Sequence, residues 1–281
     1  MTELHTARHI ESAANPYVKD VARLKDRRAR KKSGLFLVEG VREAERALTA
    51  GVAANELLVA PALVTDTARV EALSRAARGA GAEVVSLSAA AFAKISLRDN
   101  PDGVALVAKS AVKAPGELVL ATDSLVLIVD SLEKPGNLGA LMRTADAVGV
   151  DALLLCGSGL EGGGTDLENP NVIRASMGSL FSLNAVTGSR EEIALAVERA
   201  GLTLLAATPH ASSSLWDADL TGSVALLLGA ESTGLPDWWL ARAGLQVRIP
   251  MRAAAADSLN VSVAGAILLY EAYRHRSASL R

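Results

Sequence analysis

The second half of the chain holds four short, largely apolar runs, 125–129 (LVLIV), 152–156 (ALLLC), 203–207 (TLLAA) and 224–228 (VALLL), and a fifth, mixed strand at 246–249 (QVRI). A strand that is apolar at nearly every position has no solvated face, so it must be covered on both sides, as in a parallel sheet. Stretches with helical spacing at 138–148, 191–200, 236–243 and 258–276 lie between and after these runs and supply the cover. A short helix at 173–179 and a strand at 181–186 complete the series. Strand–helix alternation of this kind predicts an α/β fold with helices on both faces of the sheet.

The first hundred residues repeat the alternation on a smaller scale. Strands are expected at 35–38, 56–60, 83–86 and 104–108, with helices at 41–50, 67–78 and 88–95, several ended by Gly. Residues 99–103 (DNPDG) carry turn chemistry. Residues 109–123, with Pro115-Gly116, read as a linker. The expected organisation is an N-terminal domain over 1–109, a linker over 110–123 and a second domain over 124–281.

Half of the 281 residues are hydrophobic but only 3% are aromatic, and the net charge is −2. A nucleic-acid surface must therefore be local. One stretch qualifies. Residues 17–32 read as one helix and carry Lys19, Arg23, Lys25, Arg27, Arg28, Arg30, Lys31 and Lys32 against Asp20 and Asp26. Such runs are commonly a solvated face; a nearly single-signed one also suits a phosphate backbone. The lone Cys156 sits in an apolar run and reads as core, and the four histidines lack ligand spacing, so no metal is expected. The N-terminus has no apolar leader and no run is long enough to span a membrane. A cytoplasmic protein without a membrane partner is expected.

Residues 157–162 (GSGLEG) fit G-x-G-x-x-G after a strand, which would suggest a nicotinamide-dependent oxidoreductase. That fingerprint needs a helix opening inside the motif. Here Gly163, Gly164 and then Asn169-Pro170 follow, so a flexible loop is the better account.

Three other segments share one design: a strand end, small or polar residues, then a helix. The first runs through Asn137, read as a helix N-cap, to Arg143. The second holds Gly229, Glu231 and Gly234. The third joins Ile249-Pro250-Met251 to Ser258-Leu259-Asn260. Singly they are weak. Arg143 alone reads as a surface arginine in a salt bridge, and Ser258 alone as an N-cap. Together they resemble the SpoU/TrmH branch of the SPOUT methyltransferases, through NLGALMRTADAVG at 137–149, LLLGAESTGL at 226–235, and IPM at 249–251 with SLNVSVAGAILLYE at 258–271. The stretch NVIRASMGSL at 171–180 is also similar, and FLVEG at 36–40 is similar in style to the ribosomal-protein-L30e-like substrate-binding domain of rRNA-modifying members.

The resemblance implies a SPOUT-type sheet tied into a trefoil knot, plus a smaller N-terminal L30e-like domain. It implies transfer of a methyl group from S-adenosylmethionine to a ribose 2′-hydroxyl of RNA, with 23S rRNA as the expected substrate. The alternatives are a tRNA 2′-O-methyltransferase and a non-catalytic RNA-binding or ribosome-assembly protein. Carried over by motif, the cofactor residues are Thr208, Leu228, Gly229, Glu231, Gly234, Ile249, Met251, Ser258 and Leu259. The catalytic set is Arg143, Asn137, Glu231, Ser258 and Asn260. The RNA-binding set is Arg23, Lys25, Arg27, Arg28, Arg30, Lys31, Lys32 and Arg174. A guanidinium has a pKa above about 12, so Arg143 is expected to grip a phosphate and orient the hydroxyl rather than act as a base. A homodimer is implied, with the active site at the subunit interface.

Overall fold

The computed structural model describes residues 8–110, 112–157, 164–252 and 258–279. The glycine-rich stretch 158–163 and part of the 249–259 loop, both singled out above, lie outside the described residues. The chain forms two compact units: Met1–Ala111 with Glu168–Ser182, and Val112–Leu167 with Leu183–Arg281.

The first unit contains β1 (Arg8–Ile10), α1 (Pro16–Arg23), α2 (Arg27–Ser33), β2 (Leu35–Glu39), α3 (Val41–Thr49), β3 (Ala54–Val59), α4 (Thr67–Gly79), β4 (Glu83–Leu87), α5 (Ala89–Ile95) and β5 (Val104–Lys109). Its sheet has the order β1-β4-β3-β5-β2, with β5 antiparallel to both neighbours. The single helix expected over 17–32 is two helices. Asp26 accepts from the backbone N–H of Arg28 and Ala29, which starts a new helix. The buried Arg30 donates to the carbonyls of Leu24 and Lys25, at 2.9 Å each, and so satisfies the end of the old one. Gly34, at φ 67°, ends α2. In FLVEG, the buried Glu39 carboxylate accepts from Ser96 Oγ and the Leu97 amide, anchoring the loop before β5.

In the second unit β6 (Leu125–Asp130), α6 (Pro135–Val148) and β7 (Ala152–Cys156) come first. The chain then contributes α7 (Pro170–Ala175) and a following 3-10 turn to the first unit. There Phe181 meets the buried Phe36 ring at 6.3 Å, and Arg46 donates to Ser179 Oγ at 3.3 Å. The chain resumes in the second unit with β8 (Ala185–Thr187), α8 (Arg190–Arg199), β9 (Thr203–Ala207), β10 (Ser213–Ser214), β11 (Val224–Leu228), α9 (Asp237–Leu240), β12 (Leu245–Arg248) and α10 (Val261–Ser279). The strand expected over 181–186 is thus shorter and later, because 179–182 is a 3-10 turn. The sheet order is β10-β12-β9-β11-β6-β7-β8 and every pair is parallel. All six residues of β6 and all five of β7 and β11 are buried, as continuous apolar runs require.

One connection departs from ordinary strand–helix alternation. Ala207 at the end of β9 and Ser213 at the start of β10 both pair with Val247 of β12, from opposite sides. Residues 208–212 therefore carry the chain across β12, without an intervening helix.

Candidate active site

The carboxyl ends of β12, β9, β11 and β6 are neighbours in the sheet, so the segments after Arg248, Ala207, Leu228 and Asp130 emerge together. Ligands bind at this edge of open parallel sheets. Thr208, the 228–234 loop and Ile249 to Met251 all lie there, and α6 follows β6.

Asn137 is not the N-cap of α6. The helix starts at Pro135, and Lys134 occupies the cap position without a side-chain hydrogen bond. Proline suits the first helical position because its missing N–H has no partner there anyway. Asn137 is left inside the first turn with its side chain available for other partners. Its amide Nδ2 donates to Glu231 Oε1 at 2.8 Å, and its Oδ1 accepts from Asn260 Nδ2 at 3.2 Å. The Glu231 carboxylate also receives the backbone N–H of Glu133 and Lys134, at 3.2 and 3.4 Å. A carboxylate from another strand end thus closes the amino terminus of α6, where the helix dipole favours negative charge. Burial is the largest single influence on this carboxyl and pushes its pKa up. The hydrogen bonds from the Asn137 side chain and from the backbone of Glu231, Glu133 and Lys134 together outweigh it and hold the pKa below the usual glutamate value.

Asn260, rather than Ser258, caps α10. Its Oδ1 accepts from the Ser262 amide at 2.9 Å and its carbonyl from Ala264 N at 2.9 Å. The helix therefore begins at Val261, three residues later than the sequence pattern predicts. Ser258 is exposed, and its side chain makes no hydrogen bond among the described residues. The three motifs are thus joined by one chain of side-chain contacts, Glu231 to Asn137 to Asn260. Ser262 is a member that sequence reasoning missed, although an Asn followed two residues later by Ser is a recognisable capping pattern.

Gly229 shows why the second motif needs glycine. The loop doubles back so that Ala230 and Gly234 exchange backbone hydrogen bonds of 3.2 and 3.0 Å. A Cβ on Gly229 would overlap the backbone of Gly234 and approach Leu235 N to 2.6 Å. Gly234 sits at φ 67°, in the left-handed region. Beneath this loop Asp130 is 1% exposed; it accepts from Trp239 Nε1 at 2.6 Å and Arg190 Nε at 2.7 Å, which ties α9 and α8 to β6. Cys156 is buried in the same region; burial, then Asp130, raises its thiol pKa, in keeping with a core role.

Arg143, two turns into α6, is exposed and makes no ion pair among the described residues, so the surface salt bridge that it suggested in isolation is not formed. Leu228 is buried, Ile249 and Leu259 are partly buried, and Met251 is 42% exposed.

Comparison with known proteins settles the family. The SpoU rRNA Methylase family model matches residues 124–270 and the MRM3-like substrate binding domain matches 15–106. The chain belongs to the SpoU rRNA methylase family. Among curated SpoU relatives, it is 31% identical to the 23S rRNA (guanosine(2553)-2′-O)-methyltransferase RlmP of Bacillus subtilis (strain 168), over 94% of this chain and 98% of that protein. It is 30% identical to the 23S rRNA (uridine(2479)-2′-O)-methyltransferase of Streptomyces viridochromogenes, over 96% and 93%. The crystal structure of an AdoMet-bound rRNA methyltransferase from Sinorhizobium meliloti superposes with a TM-score of 0.85 at 29% identity, covering 95% of this chain and 97% of that one. These matches agree with the family, the α/β fold and the N-terminal substrate-binding domain inferred from the motifs.

The eight cations proposed for RNA binding divide by environment, all of them in the first unit. Arg28, Lys31, Lys32 and Arg174 are exposed. Arg23 is exposed and paired with Asp20 at 2.8 Å, and Arg27 is partly buried. Arg174 also donates to the Leu97 carbonyl at 3.4 Å. Lys25 and Arg30 point inward instead. Lys25 donates to the carbonyls of Lys94 and Ser96, at 3.0 and 2.7 Å, and burial holds its pKa below the usual lysine value, against the pull of Glu39.

Proposed function

We propose that this protein transfers the methyl group of S-adenosylmethionine to a ribose 2′-hydroxyl of RNA, with 23S rRNA as the substrate class. The observation that carries the reading is the Glu231–Asn137–Asn260 chain, which draws all three family motifs to one edge of the sheet. The match to a substrate-binding domain over 15–106 and the 23S rRNA specificities in the names of the relatives support ribosomal RNA.

The cofactor would be held by Thr208, Leu228, Gly229, Glu231, Gly234, Ile249, Met251, Ser258 and Leu259. The donor set fits it. The tight Gly229–Gly234 loop brings backbone to this edge, with open space beside Gly234 where a ligand can approach, and Met251 offers an exposed apolar surface. When bound, the cofactor supplies an activated methyl on a sulfonium, so the protein's main task is alignment. Arg143 is free to grip the phosphate beside the target ribose and bring its hydroxyl into line. Asn137 and Asn260, each fixed by its partner, have one further Nδ2 hydrogen apiece to donate toward the nucleotide, and Ser258 provides a hydroxyl. Residues 1–109 serve RNA recognition and 124–281 catalysis, with 110–123 between them. Arg23, Arg27, Arg28, Lys31, Lys32 and Arg174 supply phosphate contacts, whereas Lys25 and Arg30 hold the first unit together. The crossing of β12 by residues 208–212 supports a trefoil knot.

The enzyme acts as a homodimer with the site at the subunit interface. Val263, Tyr270 and Tyr273 of α10 are 48, 55 and 49% exposed and recur at helical spacing, which leaves an apolar stripe for a second copy. The deciding experiment incubates purified protein and methyl-labelled S-adenosylmethionine with ribosomal RNA and with tRNA, then maps the labelled nucleotide by mass spectrometry. Label on tRNA alone would replace the substrate, and no label with no cofactor binding would reject the reading.

A further inference from the structure

The crossing of β12 raises a physical question: what keeps residues 208–212 seated on the strand that they straddle? Three hydrogen bonds to β12 itself do so. The Val247 carbonyl accepts from the Thr208 amide at 3.0 Å. The guanidinium of Arg248 reaches back over the crossing, and its Nη1 donates to the Ala211 carbonyl at 2.7 Å and also to the Ser212 carbonyl. Arg248 is only partly exposed and has no carboxylate partner among the described residues. A half-buried cation whose acceptors are two consecutive backbone carbonyls acts as a clamp on that backbone, because each carbonyl fixes one peptide plane.

The residue on one side of this clamp is Ile249, followed by Pro250 and Met251. The loop on the other side begins with Thr208. We propose that Arg248 is a positioning residue for the cofactor: by stapling the 208–212 crossing to the end of β12, it sets the spacing between the Thr208 wall and the Ile249–Met251 wall. The proposal rests on the reading of this sheet edge as the S-adenosylmethionine site. Arg248 itself makes no catalytic contact. It acts through the loop, so its loss weakens cofactor binding without slowing the chemical step once the site is filled.

The test compares wild type with Arg248→Met, which keeps length and removes the donors, and Arg248→Lys, which keeps charge and one compact donor group. S-adenosylmethionine affinity is read by calorimetry without RNA, and methylation kinetics are read at saturating cofactor. Losing a charge-assisted hydrogen bond of this kind corresponds to about a tenfold rise in Kd. Arg248→Met should therefore bind the cofactor about tenfold more weakly, with kcat and the KM for RNA within about twofold of wild type. Amide exchange over 208–213 should speed up, and Arg248→Lys should fall between the two in affinity. Unchanged cofactor affinity in both variants, with wild type binding normally, overturns the clamp and leaves the methyltransferase reading standing. A raised KM for RNA with unaltered cofactor affinity makes Arg248 an RNA contact and also overturns it. No cofactor binding by wild type rejects both readings. If Arg248→Met fails to fold, Arg248→Lys decides: affinity equal to wild type refutes the proposal.

Discussion

Glu231 carries the sharpest quantitative expectation. Glu231→Ala removes the acceptor of one short bond, from Asn137 at 2.8 Å, and of two long ones, from Glu133 N and Lys134 N at 3.2 and 3.4 Å. Hydrogen bonds to a charged group are worth roughly 1.5–3 kcal/mol when well made, and the lower end applies at a rim where solvent screens. A carboxylate at a helix amino terminus adds roughly 0.3–1 kcal/mol. The expected loss is about 2 kcal/mol at neutral pH. For a unit of this size that lowers the melting temperature by about 4–8 °C. The effect has a pH signature. The folded carboxyl pKa is depressed, so its contribution is present above the unfolded glutamate pKa, about 4.3, and is lost as pH falls through the lower folded value. Denaturant unfolding of wild type and variant from pH 8 to pH 3.5 should show a gap that is full above about pH 6 and narrows below about pH 4.5. A gap that is constant across this range, or absent at neutral pH, would refute the view that the ionised carboxylate closes α6.

Arg143→Ala should lower kcat/KM for methylation by at least about 100-fold while leaving the melting temperature within about 1 °C, because the side chain is exposed and makes no ion pair among the described residues. Gly229→Ala forces a Cβ into the Gly234–Leu235 backbone; a cost of about 1–3 kcal/mol in unfolding free energy is expected, with cofactor affinity falling alongside. Arg28→Ala, Lys31→Ala and Lys32→Ala combined should weaken RNA binding without destabilising the fold. The salt dependence of binding should flatten by about one log–log unit for every phosphate that the variant no longer neutralises. Arg30→Ala should do the reverse, costing about 1–3 kcal/mol in stability from two orphaned carbonyls, with a small effect on the salt slope. Thermal melts and filter binding separate the two classes.

What sequence could read here followed from local physics. The buried strands β6, β7 and β11 were legible because an unbroken apolar run has one plausible environment, and α3 because Gly51 follows it closely. β1 was not. Arg8 and His9 are polar, and the strand exists only because it lies parallel to β4, with His9 Nδ1 and Ser86 Oγ 2.9 Å apart. The split of the basic helix hinged on Arg30 folding back onto two carbonyls, an interaction that the composition of a charged run conceals. At the site, residue identities were legible through motif resemblance and their geometry was not. Asn137 looks like a cap from its neighbours, yet Pro135 starts the helix earlier and frees it to meet residues 94 and 123 positions away. The allegiance of residues 168–182 was equally hidden, since Phe181 finds Phe36 only in the folded chain.

That allegiance constrains how the protein emerges from a ribosome. The first unit cannot be finished when its own strands have been made, because Phe181 and the turn around Ser179 arrive about seventy residues after β5 ends. By then β6, α6 and β7 have also been synthesised and expose apolar surface that awaits β11. A first unit whose sheet is formed but not fully covered thus coexists with an incomplete second sheet on one nascent chain until residue 182 is released. A pause in translation just before residue 168 would prolong that interval, whereas one after residue 182 has cleared the ribosome would let the first unit close before the second sorts its remaining strands.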